Sequence, residues 1–335
     1  MTERTDRASA RGEPDPESDA ELPGVEDLRV ALATVLAADH VSAVSIIERS
    51  NAFFSGTFPN EVIRCRVDKG PELSLFCKYS HGYGANSYGH RGSVEYEAIV
   101  YEHVLQPLDF KGIARFYGAY REPGGAIWLV TECVTDFLPL TWLYDPRPFQ
   151  AAAKWIGGFH SSCERVVPEA SAKLTKYNAE YFLGWVERTL SFGGHWQRRF
   201  PWLTYLCRRF EDVLPLLLDD STTVIHGEFY GKNVLQRQEQ IFAVDWESAA
   251  VGTGEIDLAA ITEGWPDEWR PGTEEAYKSG RWPEGAPAEF SRRLDAARMY
   301  LHLRWLGDRP EWTCHPNSKW RFQQIHHHGE RLGLL

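Results

Sequence analysis

Apolar residues recur every three to four positions from Val25 to Ala38 (Leu28, Val30, Leu32, Val35, Leu36), and that spacing predicts a helix. Three shorter runs follow, Val41 to Ile47, Glu61 to Val67 and Leu73 to Tyr79. They alternate or carry β-branched residues and predict strands, with Asp68-Lys69-Gly70 as the turn between the last two. The Gly/Ser/His-rich stretch Ser80 to Gly92 predicts a mobile loop. Helical spacing returns over Val94 to Leu105, where Val94, Ala98, Tyr101 and Val104 or Leu105 share a face. Ile113 to Tyr120 and Ala126 to Val134 read as two further strands about Pro123-Gly124-Gly125. Beyond Val134 the pattern is mainly helical: Pro148 to Ser161, Ala179 to Leu190, Leu203 to Leu218 and Ala288 to Leu306, with short strands at Thr222 to Ile225 and Ile241 to Val244.

This order divides the chain into a tail, 1–23, a first lobe, 24–133, and a larger, mostly helical lobe, 134–335, in an α+β bilobal arrangement. The tail has too little apolar surface to offset the entropy of ordering and is expected to be disordered. A net charge of −11 disfavours a nucleic-acid binder, whose phosphate contacts need basic surface. It suits a cationic partner as well as a plain solvated surface. None of the six cysteines forms a Cys-x-x-Cys pair, which argues for free thiols in a reducing compartment, and no apolar run reaches the roughly 18 residues that span a bilayer. The expectation is a cytoplasmic protein with no membrane partner; nothing in the sequence sets an oligomeric state.

The candidate chemistry is concentrated in His226-Gly227-Glu228-Phe229-Tyr230-Gly231-Lys232-Asn233-Val234-Leu235, followed by Val244-Asp245-Trp246-Glu247. Glu228 and Asn233 stand five apart, and Asp245 follows a hairpin-length gap. Asn233 offers an amide oxygen and Asp245 a carboxylate, both donors for a hard divalent cation. Upstream, Lys78 ends an apolar strand, and Glu97 on the next helix is placed to pair with it, with Glu95 and Glu102 as competitors. Ser55, Gly56 and Thr57 form a small-residue loop able to meet phosphate oxygens. The strand Trp128 to Cys133 ends at the lobe boundary, where the Thr131 carbonyl and Cys133 N–H are candidates for an adenine edge.

With Gly254 and Asp257-Leu258-Ala259 downstream and Phe159-His160 upstream, the pattern resembles the aminoglycoside phosphotransferase and choline kinase superfamily. That superfamily has a protein-kinase-like fold with a His-Gly-Asp-x4-Asn loop. The likeness is specific over residues 222–261, consistent in layout from about residue 40, thin in the C-terminal region and absent from the tail. It implies transfer of the γ-phosphoryl of ATP, with Mg2+, to a hydroxylated small molecule such as an aminoglycoside, amino sugar or sugar. Lys78, steadied by Glu97, would hold the phosphates, Asn233 and Asp245 the metal, and Glu228 the acceptor hydroxyl. His226 is expected to brace the loop and Asp257 to anchor backbone. A peptide-hydroxyl kinase or a nucleotide-binding pseudokinase would use the same residues, and ATP is not distinguished from GTP.

Glu228 departs from the family's Asp. One extra methylene shifts a carboxylate by about 1 Å, which costs roughly 100-fold in rate where nothing compensates. Retention of an acid favours a subfamily in which Glu works. His326-His327-His328 reads as surface histidines, the Trp-rich segment from Trp265 to Trp320 mainly as core, and Glu263, Asp267, Glu268, Glu274 and Glu275 as a solvated acidic face or a lure for a cationic acceptor.

Overall fold

The computed structural model describes residues 22–36, 43–52, 58–80, 88–164, 172–218 and 222–335. Ser55, Gly56 and Thr57 lie outside them, as does the tail up to residue 21. By their contacts the residues form two compact units: residues up to 85 with Tyr117–Cys133, and 86–116 with Val134–Leu335.

In the first unit, helix α1 (Val25–Leu36) precedes strands β1 (Val44–Asn51), β2 (Asn60–Val67) and β3 (Glu72–Tyr79). With β4 (Phe116–Arg121) and β5 (Ile127–Glu132) these form one sheet in the order β1-β2-β3-β5-β4. Successive residues of a strand face opposite sides. One face therefore gathers Ile63, Cys65, Leu75, Cys77 and Val130, which pack with Leu28, Ala31 and Leu32 of α1 as a dry core. Within this unit Glu61 is buried and accepts from Arg49 Nε and Nη2, each at 2.7 Å, and from the Tyr79 hydroxyl at 2.6 Å.

The second unit begins with α2 (Val94–Val100), capped by Ser93 and continued by a π-turn, Tyr101–Leu105. The first lobe was expected to include this helix. It groups with the second unit instead, because Tyr96 donates to the Ala249 carbonyl at 2.6 Å and Glu97 accepts from Trp246 N–H at 3.0 Å. After β6 (Leu138–Pro139) come α3 (Pro146–Cys163), β7 (Thr175–Lys176) and α4 (Ala179–Phe192). The single helix expected over Leu203 to Leu218 is broken into α5 (Leu203–Arg208), a 3-10 turn (Phe210–Val213) and α6 (Leu214–Leu217). Pro215 lacks an N–H and restarts the helix at its first turn.

Then follow β8 (Thr222–Ile225), the hairpin β9 (Val234–Arg237) and β10 (Gln240–Ala243), β11 (Ala250–Thr253) and α7 (Glu255–Ile261). Helices α8 (Arg270–Arg281), α9 (Phe290–Asp308), α10 (Pro310–Cys314) and α11 (Lys319–Arg331) close the chain, and α9 is buried along most of its length. Three of these, α8, α10 and α11, were not delimited in the sequence reading. The buried face of α8 is Thr273, Tyr277 and Arg281, and that of α11 is Phe322, Ile325, His328 and Gly329, so neither carries a full apolar stripe. All six cysteines are free, and among the described residues no helix is long and apolar enough to cross a membrane.

Candidate active site

The loop between β8 and β9 is fixed from below by one buried carboxylate. Asp257 accepts from His226 N–H at 2.7 Å and from Gly227 N–H at 2.9 Å, and its Oδ2 lies 3.0 Å from His160 Nε2. Burial holds the His160 pKa below its ordinary value, so the neutral ring donates from Nε2 and accepts the Tyr277 hydroxyl at Nδ1, 3.1 Å away. Gly227 has φ +80°, and a Cβ there would lie 2.1 Å from the Ser248 carbonyl oxygen, so only glycine fits. His226 reaches the Val244 carbonyl through Nε2 at 3.0 Å and takes Glu228 N–H on Nδ1 at 3.3 Å. It braces the loop, as expected from the sequence.

Asn233 closes that loop. Its N–H donates to the Tyr230 carbonyl at 2.8 Å and its side-chain amide to the Glu228 carbonyl at 3.0 Å. Val244 N–H donates to the Asn233 carbonyl at 3.0 Å, placing Asp245 one residue beyond a shared ladder rung. Asp245 has φ +68°, a left-handed backbone that Asp tolerates better than most residues. One carboxylate oxygen each from Glu97, Asp245 and Glu247 lies within 4.8 Å of the others. Three hard oxygen donors so close are a set that fits magnesium. Glu97 and Glu247 are both buried.

The Glu228 side chain is also buried, and it is surrounded by positive charge. Its Oε1 lies 3.2 Å from Arg91, 3.4 Å from His90 Nε2 and 3.6 Å from Arg304. Burial alone would raise its pKa, but the His90 hydrogen bond and the Arg91 charge outweigh it and hold the carboxyl well below the usual carboxylate range. His90 is pushed down to about 4 by burial and then by Arg304, so its ring is neutral. The ring's Nδ1 faces the hydroxyls of Tyr177 at 3.1 Å and Tyr181 at 3.0 Å. Tyr181 in turn meets the Tyr300 hydroxyl at 3.0 Å. Arg304 also bonds the Tyr230 hydroxyl, which accepts from Trp305 Nε1 at 2.9 Å.

His90, Arg91 and Arg304, which surround the candidate acid, are residues that the sequence reading did not single out, and Glu247 entered it only as the end of the Val244-Asp245-Trp246-Glu247 motif. The one available signal was the longer acid at 228, which called for counter-charge somewhere. The stretch expected as a mobile loop is anchored at its described end, since Gly92 N–H donates to the Glu247 carbonyl at 2.7 Å. His328, expected at the surface, is buried with Nδ1 3.0 Å from Asp295. Within the acidic set, Glu263 pairs with Arg321 and Glu274 with Arg298, so these two are not a free acidic face. The tryptophans from Trp265 to Trp320, expected mainly as core, are half-buried, with Trp320 exposed; Trp265 and Trp269 stack on each other beside Phe149.

In the first unit, Lys78 is buried near the end of β3 with Nζ 5.4 Å from the Phe58 ring centre. Thr131 pairs with Phe76 across β3 and β5. The Cys133 N–H, expected to face an adenine edge, donates to the Ser74 carbonyl at 2.9 Å and extends the strand ladder.

Among solved structures, spectinomycin phosphotransferase APH(9)-Ia, crystallised with ADP and spectinomycin, matches over 94% of this chain and 100% of its own at 13% identity and a TM-score of 0.57. Choline kinase from Cryptosporidium parvum matches over 93% and 98%, at 13% identity and 0.58. The GDP complex of an aminoglycoside 2′-phosphotransferase of type IIIa matches over 92% and 96%, at 13% identity and 0.57. These likenesses establish a kinase-like α+β fold. No curated protein matches the chain by sequence. The profile described as the phosphotransferase enzyme family (APH) matches residues 102–290, a span that holds the His226-to-Glu247 loops and Asp257; the chain belongs to that family and is a phosphotransferase with an alcohol group as acceptor.

Proposed function

We propose that this chain transfers the γ-phosphoryl of ATP, with magnesium, to a hydroxyl of a small molecule in the cytoplasm. The observation that carries the reading is the bond between the Asn233 amide and the Glu228 carbonyl, one ladder step from Asp245. It ties the acid for the hydroxyl to the donors for the metal in one closed loop. The fold-mates crystallised with ADP or GDP support a nucleotide as phosphoryl donor.

Asp245 and Asn233 hold the metal, with Glu97 and Glu247 in the same acidic group. Magnesium, when bound, neutralises charge on the phosphates. Lys78 grips the phosphates. Glu228 remains ionised and accepts a hydrogen bond from the acceptor hydroxyl. A carboxylate held so far down is a weak proton acceptor, so its main contribution is orientation, with the proton moving late. His90, Arg91 and Arg304 fix the longer side chain of Glu228, the compensation that a Glu in place of Asp requires.

ATP consumption with a panel of hydroxylated acceptors, in the wild type, Glu228→Gln and Asp245→Ala, tests this. Turnover that both substitutions leave intact would reject the assignment. The enclosure of Glu228 by three cationic or imidazole groups favours one rival, a nucleotide-binding module without turnover. That rival predicts nucleotide-dependent thermal stabilisation and no product with any acceptor.

A further inference from the structure

Four buried side chains form a polar run that ends at Glu228: Tyr300, Tyr181, Tyr177 and His90. His90 Nδ1 stands 3.1 Å from the Tyr177 hydroxyl and 3.0 Å from that of Tyr181, which is 3.0 Å from the Tyr300 hydroxyl. Burying a hydroxyl costs free energy unless it is bonded, and phenylalanine would fill each of these places without that cost. Three such hydroxyls around one ring call for a task at that ring.

The tyrosines are fixed by the frame of the unit. Tyr177 N–H donates to the Val251 carbonyl of β11 at 3.0 Å, and Asn178 caps α4 by accepting Tyr181 N–H at 2.8 Å. Tyr300 lies in α9, its ring edge-on to Phe182 of α4 with 4.9 Å between centres. The rings of Tyr177 and Tyr181 stack 4.0 Å apart. Their hydroxyls are fixed reference points for the imidazole.

A neutral imidazole carries one proton, on either nitrogen. Burial raises the pKa of all three phenols, so each hydroxyl keeps a proton to donate. His90 Nε2 stands 3.4 Å from Glu228 Oε1 and makes no shorter hydrogen bond. With the proton on Nδ1, a bare Nε2 lone pair would face that carboxylate. With the proton on Nε2, the Nδ1 lone pair receives a tyrosine hydroxyl, Tyr300 donates to Tyr181, and the ring presents an N–H to Glu228. In the second arrangement no two lone pairs meet. A separation of 3.4 Å is long, as catalytic hydrogen bonds often are before a substrate is bound.

We propose that Tyr177, Tyr181 and Tyr300 are positioning residues: through Nδ1 they hold His90 as its Nε2–H tautomer with that proton aimed at Glu228, and so fix the carboxylate for the acceptor hydroxyl. The last step rests on the phosphotransferase reading above; the tautomer does not.

Nitrogen-15 NMR of the full chain, labelled at histidine and held at about pH 8, above the ordinary histidine value of about 6.5, reads the two ring nitrogens separately. The His90 signals are those missing in His90→Gln. In the wild type, Nε2 should carry the proton and Nδ1 should show an accepted hydrogen bond. In the double variant Tyr177→Phe with Tyr181→Phe, the Nδ1 signal should move towards that of an unbonded nitrogen, and kcat should fall about tenfold with KM little changed. Where that variant folds poorly, Tyr300→Phe, which withdraws the hydroxyl behind Tyr181, should move Nδ1 the same way by less. His90→Gln, whose amide still offers an N–H to Glu228, should keep more kcat than His90→Phe. A proton on Nδ1 in the wild type, or ring signals that no tyrosine substitution moves, overturns the proposal. Shifted signals with full kcat overturn the link to Glu228 and leave the tautomer standing. No turnover by the wild type on any acceptor removes the phosphotransferase reading and that link together, while the ring signals still decide the tautomer.

Discussion

The Asn233 side-chain amide donates to the main-chain carbonyl of Glu228 at 3.0 Å, so a residue placed to hold metal also fixes the backbone of the residue placed to meet the acceptor. Asn233→Asp removes that donor and leaves a carbonyl in a buried loop without its partner. A loss of about 1–3 kcal/mol in stability is expected, measured by urea denaturation. A fall in kcat/KM of roughly 100-fold should accompany it, because the loop and its acid shift together. Wild-type values of both would show that the bond organises nothing.

Glu228→Asp should not restore a better enzyme, although Asp is the family's usual residue. The shorter side chain withdraws by about 1 Å from Arg91, His90 and Arg304, and a shift of that size costs roughly 100-fold in rate. Glu228→Gln keeps the length but removes the charge, leaving Arg91 and Arg304 without their anion; breaking a buried pair costs about 3–5 kcal/mol. Steady-state kinetics and thermal melts of the two variants should therefore diverge, Asp losing mainly rate and Gln losing stability as well.

Stability should fall in two stages on acidification. His90 is held down to about 4, below its unfolded value of about 6.5. The unfolded chain binds the extra proton between those values, so stability declines as pH drops across that window. Glu228 is depressed too, so its contribution is complete above the unfolded value of about 4.3 and is lost only as pH falls through its lower folded value. In a series of urea melts, His90→Gln should flatten the upper stage. An unchanged slope between about pH 6.5 and 4 would mean that His90 is not the titrating group.

Asp257→Asn replaces one acceptor oxygen with a donor facing the N–H groups of His226 and Gly227 and the His160 ring. The expected cost is about 2–4 kcal/mol, from unmade bonds in a buried site. Hydrogen exchange should show the His226 and Gly227 amides losing protection before the rest of the unit; uniform loss would argue against a local anchor.

Period-2 alternation made β2 and β3 legible, because one face of their sheet packs on α1 and forces the pattern. The reactive loop was legible for a different reason: His226, Glu228, Asn233 and Asp245 sit close in the chain at spacings that the hairpin fixes. The clamp on Glu228 was hidden, since Arg91 and Arg304 come from distant segments and leave no periodic trace. Helix α8 was hidden because it buries Arg281 and Thr273 where a stripe of leucines would have announced it. His328 was misplaced because its neighbours His326 and His327 face elsewhere, while His328 alone of the three shares the buried side with Phe322, Ile325 and Gly329.

The segment from His90 to Gly92 reaches two places at once, the Glu228 carboxylate through Arg91 and the main-chain carbonyl of Glu247 through the Gly92 amide. The side chain of Glu228 and the backbone that carries Glu247 are therefore held by one short segment. A substitution that moves this bridge on the side of Glu228 also disturbs the backbone beside Asp245, so His90, Arg91 and Gly92 are expected to tolerate little change.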